Sequence, residues 1–248
     1  MEFKEVVMAK MRYKSAPVFK MLGVTALVAV IIVAIHIWFK SHPCKYSWIL
    51  ADLFHIPQFL IPFLMICYLS KGKLKEYGFN LNEESFFTHK RMAIIGVSFG
   101  IFMSLRYIPQ VVGHTLLDIP YPVTLANVLG NMSFQWIIVG ISEETMFRGL
   151  IQTYLMRNLE GYIKMFGHDL HIGTVLGAIF WGGFHFLNVL FMPLEAVIFL
   201  VIVTTGIGLL MGYAYQRTGS LLTTIIIHNT IFGTHLTIGY AIYWILGS

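Results

Sequence analysis

Seven apolar stretches of twenty residues or so recur along this chain of 248 residues. That is the length an α-helix needs to cross a hydrocarbon layer ~30 Å thick. Lipid offers a spanning backbone no water to bond, so each continuous stretch is expected to close its hydrogen bonds internally as a helix. The expected spans are Met21 to Phe39, Trp48 to Leu69, Met92 to Val112, Thr124 to Asn158, Ile172 to Phe191, Leu194 to Tyr215 and Leu221 to Leu246. The last is long enough to tilt, or to break near Gly233. Hydrophobic residues make up 57% of the chain and charged residues only 12%, about half the charged share of a soluble domain. The reading is all-α: a polytopic membrane helical bundle of about seven spans. Residues 1–20 form a basic leader, and 21–248 a single transmembrane domain with no room for a soluble one. The first span is too long, and too poor in small residues at its end, for a cleaved signal peptide.

The formal net charge of +5 does not point to nucleic acid, because the basic residues sit between the spans. They read instead as topology signals and phospholipid contacts. Lys71, Lys73, Lys75, Lys90 and Arg91, then Arg157 and Lys164, then Arg217 occupy alternate loops. This places the N-terminus in the cytoplasm and the chain in the cell membrane as a multi-pass protein. Pro57 and Pro62 lie inside the second span and are expected to bend it. Cys44 and Cys67 fall near opposite ends of the membrane and are expected to remain free thiols.

Against this apolar background, the run Gly140-Ile-Ser-Glu143-Glu144-Thr-Met-Phe-Arg148 is anomalous. A charge at the bilayer centre costs about 3 kcal/mol on insertion scales, and three fall here within six residues. Glu144 and Arg148 are one helical turn apart and are expected to neutralise each other. Glu143 points ~100° away and must find a partner on another span or hold its proton. Counting inward from the loops puts Glu143 ~21 Å from Arg157, His185 ~20 Å from Ile172 and His228 ~16 Å from Arg217. Three spans thus bring ionisable groups to one depth. A carboxylate beside an imidazole can polarise a trapped water, and a second imidazole can donate to the oxyanion that forms. Gly182, Gly183, Gly206 and Gly208 would let helices part or approach around such a cavity. The alternative is that these groups merely bond to each other as interhelical glue.

Other intramembrane polar residues fit structural roles. Asp52 and Arg106 are expected to form an ion pair, with His55 one turn from Asp52 in the same cluster. His36 is expected to be a satisfied interior histidine. No His-Glu-x-x-His helix is present, so no metal is expected. The alternative is zinc held by Glu143, His185 and His228.

Glu143-Glu144-x-x-x-Arg148, Trp181-Gly-Gly-Phe-His185 and Gly219-Ser-Leu-x-x-x-Ile-Ile-Ile-His228 follow in order on three spans. Together they resemble the CPBP family, the CAAX proteases and bacteriocin-processing (Abi) enzymes, over about residues 124–232. The resemblance implies a glutamate-dependent intramembrane endopeptidase. Glu143 would be its catalytic glutamate, His185 the partner in activating water and His228 an oxyanion holder. Glu144, Arg148 and Asn188 would orient the site or bind substrate. Implied partners are a peptide or protein substrate, with or without a lipid modification, and membrane lipids, with the site opening to the cytoplasmic side. Two positions depart from the family pattern. Trp181 replaces a phenylalanine, and Phe232 replaces an asparagine four after the second histidine. Asn229 points to another helix face, so either the lost donor is relocated to Asn188 or His235, or the chain is a weakened or inactive relative. A non-catalytic bacteriocin-immunity or partner-binding protein of the same fold is the alternative function.

Overall fold

The structure is a computed structural model, and it describes residues 15–117, 119, 121–165 and 167–247. Most of the basic leader, residues 1–14, lies outside the described residues. Seven helices are long and apolar enough to cross a membrane. They are α1 (Ser15–Ser41), α2 (Trp48–Ser70), α3 (His89–Val112), α4 (Leu125–Asn158), α5 (Ile172–Leu190), α6 (Leu194–Thr218) and α7 (Leu221–Gly247). Each matches an expected span. α2 runs unbroken through Pro57 and Pro62, and α7 stays helical through Gly233. The Cys44 and Cys67 thiols are free.

Between α4 and α5 the chain makes an antiparallel hairpin of β1 (Tyr162–Met165) and β2 (His168–His171), which the sequence reading left as loop. β2 runs directly into α5, where His171 is the N-cap and its Nδ1 accepts from the Gly173 N–H at 2.9 Å. Burial holds the His171 ring below the ordinary histidine pKa, against a smaller upward pull from its hydrogen bond to the Leu159 backbone.

α4 lies at the centre. Met146, Phe147, Leu150, Ile151 and Leu155 on it are fully buried and join the main apolar cluster. α3 packs along α7 and α5 along α6, while α2 flanks α4. The α5–α6 approach uses small residues. A β-carbon on Gly182 would collide with Thr205, and one on Gly208 with Trp181 and Ala178. Gly183 and Gly206 face open space and take no part in it.

α4 is not a regular helix. π-helical turns at Phe134–Ile138 and Thr145–Gln152 bracket the α-helical turn Val139–Glu144. The first has a visible cause on α7. The Asn229 side chain accepts from Gly140 N–H at 2.9 Å and donates to the Ile137 carbonyl at 3.2 Å. An inserted side chain that takes over backbone partners in this way widens the ladder. A β-carbon at Gly140 would collide with that amide. At the second π turn, Thr153 Oγ1 donates to the Arg148 carbonyl at 2.9 Å.

Candidate active site

The six site residues expected from sequence gather at one place. Glu144 and Arg148 are 0% and 1% exposed, so their contact is dry. Arg148 Nη1 donates to Glu144 Oε1 at 3.1 Å, and Nε lies 3.1 Å from Oε2. The guanidinium also lies 4.6 Å from the centre of the Trp181 ring, a cation–π contact that adds to its anchorage. The expected i,i+4 pair is present, and it has a third member. His228 Nδ1 lies 2.9 Å from the same Glu144 Oε1.

Glu143 turns away from that pair, as its place on the helix requires. Its Oε2 accepts from the Trp181 indole N–H, and its Oε1 lies 3.4 Å from His55 Nε2. His228 Nε2 is 4.0 Å from Oε2. His228 therefore stands between the two glutamates, one nitrogen toward each.

His185 does not hydrogen-bond Glu143. Its Nδ1 sits 2.8 Å from the Trp181 carbonyl, and Asn188 Nδ2 donates to the His185 carbonyl at 2.9 Å. His185 and Glu143 instead share a cavity of about 240 Å³, together with His55, Asn188, His228 and Phe232. The Phe232 ring lies 5.1 Å from that of His228.

The partners assign the imidazole protons. His55 faces acceptors at both nitrogens, the Ala51 carbonyl at 2.7 Å and Glu143 Oε1 at 3.4 Å. In His185 and His228 Nδ1 faces an acceptor, the Trp181 carbonyl and the Glu144 carboxylate, so Nδ1 carries the hydrogen there and in the neutral ring Nε2 is left as a lone pair. Those lone pairs are acceptors. Neither His185 nor His228 can donate from Nε2 without taking up a second proton.

Several expectations are corrected here. Asp52 makes no ion pair with Arg106 among the described residues. Asp52 Oδ1 is buried without a hydrogen-bond partner, and the Arg106 guanidinium lies over the Tyr107 ring. His55 bonds Glu143 and also lies close enough to Asp52 to interact with it electrostatically. Both ring nitrogens of His36 are buried and unpartnered, with the ring edge-on to Phe191, so it is not a satisfied histidine. His235 is held by Ser104 and Tyr107, each at 3.1 Å, and is not among the residues lining the cavity. Asn229 clamps α4, as its helix face requires. The cavity wall draws on the early part of α2 and the late part of α5, including Phe54 and Leu190. It therefore extends away from the Arg157 and Arg217 end. A cytoplasmic N-terminus and a cytoplasmic opening cannot both hold.

The sequence reading missed two members of the site. His55 was visible as a histidine within a span, but no spacing tied it to Glu143 across 88 residues. Trp181 was noted only as an aromatic replacement. Its N–H is what separates tryptophan from phenylalanine, and the Glu143 carboxylate receives it.

Fold and site define a polytopic helical membrane protein with a carboxylate–imidazole centre buried among its spans. Residues 125–231 match the model of the family described as Rce1-like, type II CAAX prenyl endopeptidase Rce1-like. Over that segment, less than half of the chain, it is similar to the CPBP/CAAX protease family, which supports a CAAX-type intramembrane protease in general terms. No curated protein and no solved structure matches the chain.

Proposed function

We propose that the chain is an intramembrane endopeptidase in which Glu143 activates a water for attack on a peptide carbonyl. The observation that carries the reading is the buried Glu143 carboxylate. It is held by Trp181 and His55 at the wall of a cavity that His185 and His228 share. In the proposed reaction the water oxygen bonds to the carbonyl carbon and its proton passes to Glu143. The carbonyl π pair becomes an oxyanion. Collapse re-forms the carbonyl and breaks the C–N bond, and the amine leaves with the proton from Glu143. His185 Nε2 accepts from the same water and fixes its orientation. His228 rests on Glu144 through Nδ1 and turns Nε2 toward the Glu143 side of the cavity. Arg148 holds Glu144 in place through two contacts.

The substrate we propose is a short peptide tail on a membrane-associated protein, prenylated as the description of the matched family suggests. The loop charges favour a cytoplasmic N-terminus and the cell membrane. Metal-free chemistry is part of the proposal, with zinc on Glu143, His185 and His228 as the alternative.

The test uses the full chain in lipid vesicles with a farnesylated CaaX-type peptide, read by mass spectrometry. Cleavage should persist in a strong chelator and in a Cys44→Ala, Cys67→Ala double variant. Loss in chelator, restored by added zinc, would transfer the case to a metal mechanism. Intact peptide under all conditions would favour the non-catalytic binding or immunity reading.

A further inference from the structure

The proposed chemistry needs a donor for the oxyanion that His185 and His228, in their neutral forms, do not supply. Their N–H groups are spent on Nδ1 contacts, and both nitrogens of His55 face the Ala51 carbonyl and Glu143. Phe232 offers none. Asn188 has one amide hydrogen committed to the His185 carbonyl. Gln58 differs from these. It lies on α2 one turn after His55, is 2% exposed and lines the same cavity. Its amide nitrogen is buried with no hydrogen-bond partner. Leaving such a donor unpaired destabilises the fold, and a glutamine at a helix–cavity boundary could avoid that cost by being leucine. Gln58 lines the cavity, and a half-turn of its amide about the last side-chain bond exchanges nitrogen and oxygen and presents the unpaired donor to an oxygen on which charge develops.

We propose that Gln58 is a further catalytic residue, its side-chain amide donating to the carbonyl oxygen as that oxygen becomes the oxyanion. The inference rests on the endopeptidase reading above and assigns α2 a part in it through His55 and Gln58. As its share of the step, Gln58 gives up no proton. Its N–H stays covalent and stabilises the new charge.

The probe is a farnesylated tetrapeptide aldehyde, which takes up water to a tetrahedral hydrate, compared with the matching peptide alcohol, which cannot. Affinities for both are measured on the purified full chain, wild type and Gln58→Met. Wild type should prefer the aldehyde, and the methionine variant should lose at least tenfold of that preference while binding the alcohol unchanged. Turnover should fall by ~10²-fold with KM nearly constant. Gln58→Asn, with the donor set back by one methylene, should fall between the two. The aldehyde-to-alcohol ratio is internal to each variant, so partial misfolding does not mimic the result. Unchanged ratio and turnover in Gln58→Met, in an enzyme that cleaves, would overturn the role of Gln58 alone. A wild type with neither cleavage nor aldehyde preference would overturn the endopeptidase reading, and this inference with it.

Discussion

Replacing Trp181 by phenylalanine removes one hydrogen-bond donor from Glu143 and leaves a ring in place against His185, His228 and Arg148. A hydrogen bond to a charged group is worth about 1.5–3 kcal/mol. We expect Trp181→Phe to fold normally, within a few degrees of the wild-type Tm, and to lose roughly 10- to 100-fold in kcat/KM. Unchanged turnover would show that the indole N–H does not orient the base. Arg148→Ala leaves the 0%-exposed Glu144 without its cation, at roughly 3–5 kcal/mol for a broken dry pair. The expected outcome is poor yield of folded protein together with lost activity. Arg148→Lys should recover little of either, because a single ammonium cannot make two contacts and stack on Trp181. At this scale the sequence was readable where one helix supplied both partners. Glu144 and Arg148 follow from spacing alone, and so does the separate direction of Glu143. The partners contributed by other helices, Trp181 and His55 to Glu143 and His228 to Glu144, depend on packing that no spacing encodes.

The two π turns of α4 belong to the element scale. Asn229→Leu would leave the Gly140 N–H and the Ile137 carbonyl without their side-chain partner. A loss of about 1–3 kcal/mol for each is expected, read as a lower Tm in detergent, with the α4 backbone free to relax to regular helix. A variant as stable as wild type would mean that the π turn does not depend on Asn229. The cap of α5 gives a pH dependence. Burial lowers the His171 pKa, so the neutral ring is favoured in the folded protein. The stability it contributes is present above the ordinary value of about 6.5 and is lost as pH falls from there toward the lowered folded value. Protonation also removes the lone pair that accepts from Gly173. Between pH 7.5 and pH 5 the Tm of wild type should fall more steeply than that of His171→Asn, which caps without titrating. Parallel curves would exclude this contribution. Helix ends were legible because apolar runs stop where spans stop. The hairpin was not, since two four-residue strands carry too few positions to show alternation. The π turns were not either, because their cause lies on α7.

Across the whole molecule, the orientation in the membrane decides which side delivers substrate. Cys44 is free and exposed in the segment between α1 and α2. With a cytoplasmic N-terminus, a membrane-impermeant maleimide should label Cys44 in intact cells, while the half-buried Cys67 on α2 stays unmodified. Labelling of Cys44 only after permeabilisation would reverse the topology and turn the cavity toward the cytoplasm. The span count and the convergence of Glu143, His185 and His228 on one cavity were legible because depth along a helix can be counted from sequence. The direction in which the cavity extends was not, since it depends on which ends of α2 and α5 splay. The central claim is that Glu143 is a base and not only a ligand for a bound partner. It is tested most directly by measuring turnover and peptide affinity together for Glu143→Gln, which keeps the shape of the side chain and removes its basicity. We expect turnover of the farnesylated peptide to fall by ~10²-fold or more with affinity essentially retained. Cleavage at the wild-type rate by Glu143→Gln would contradict the account.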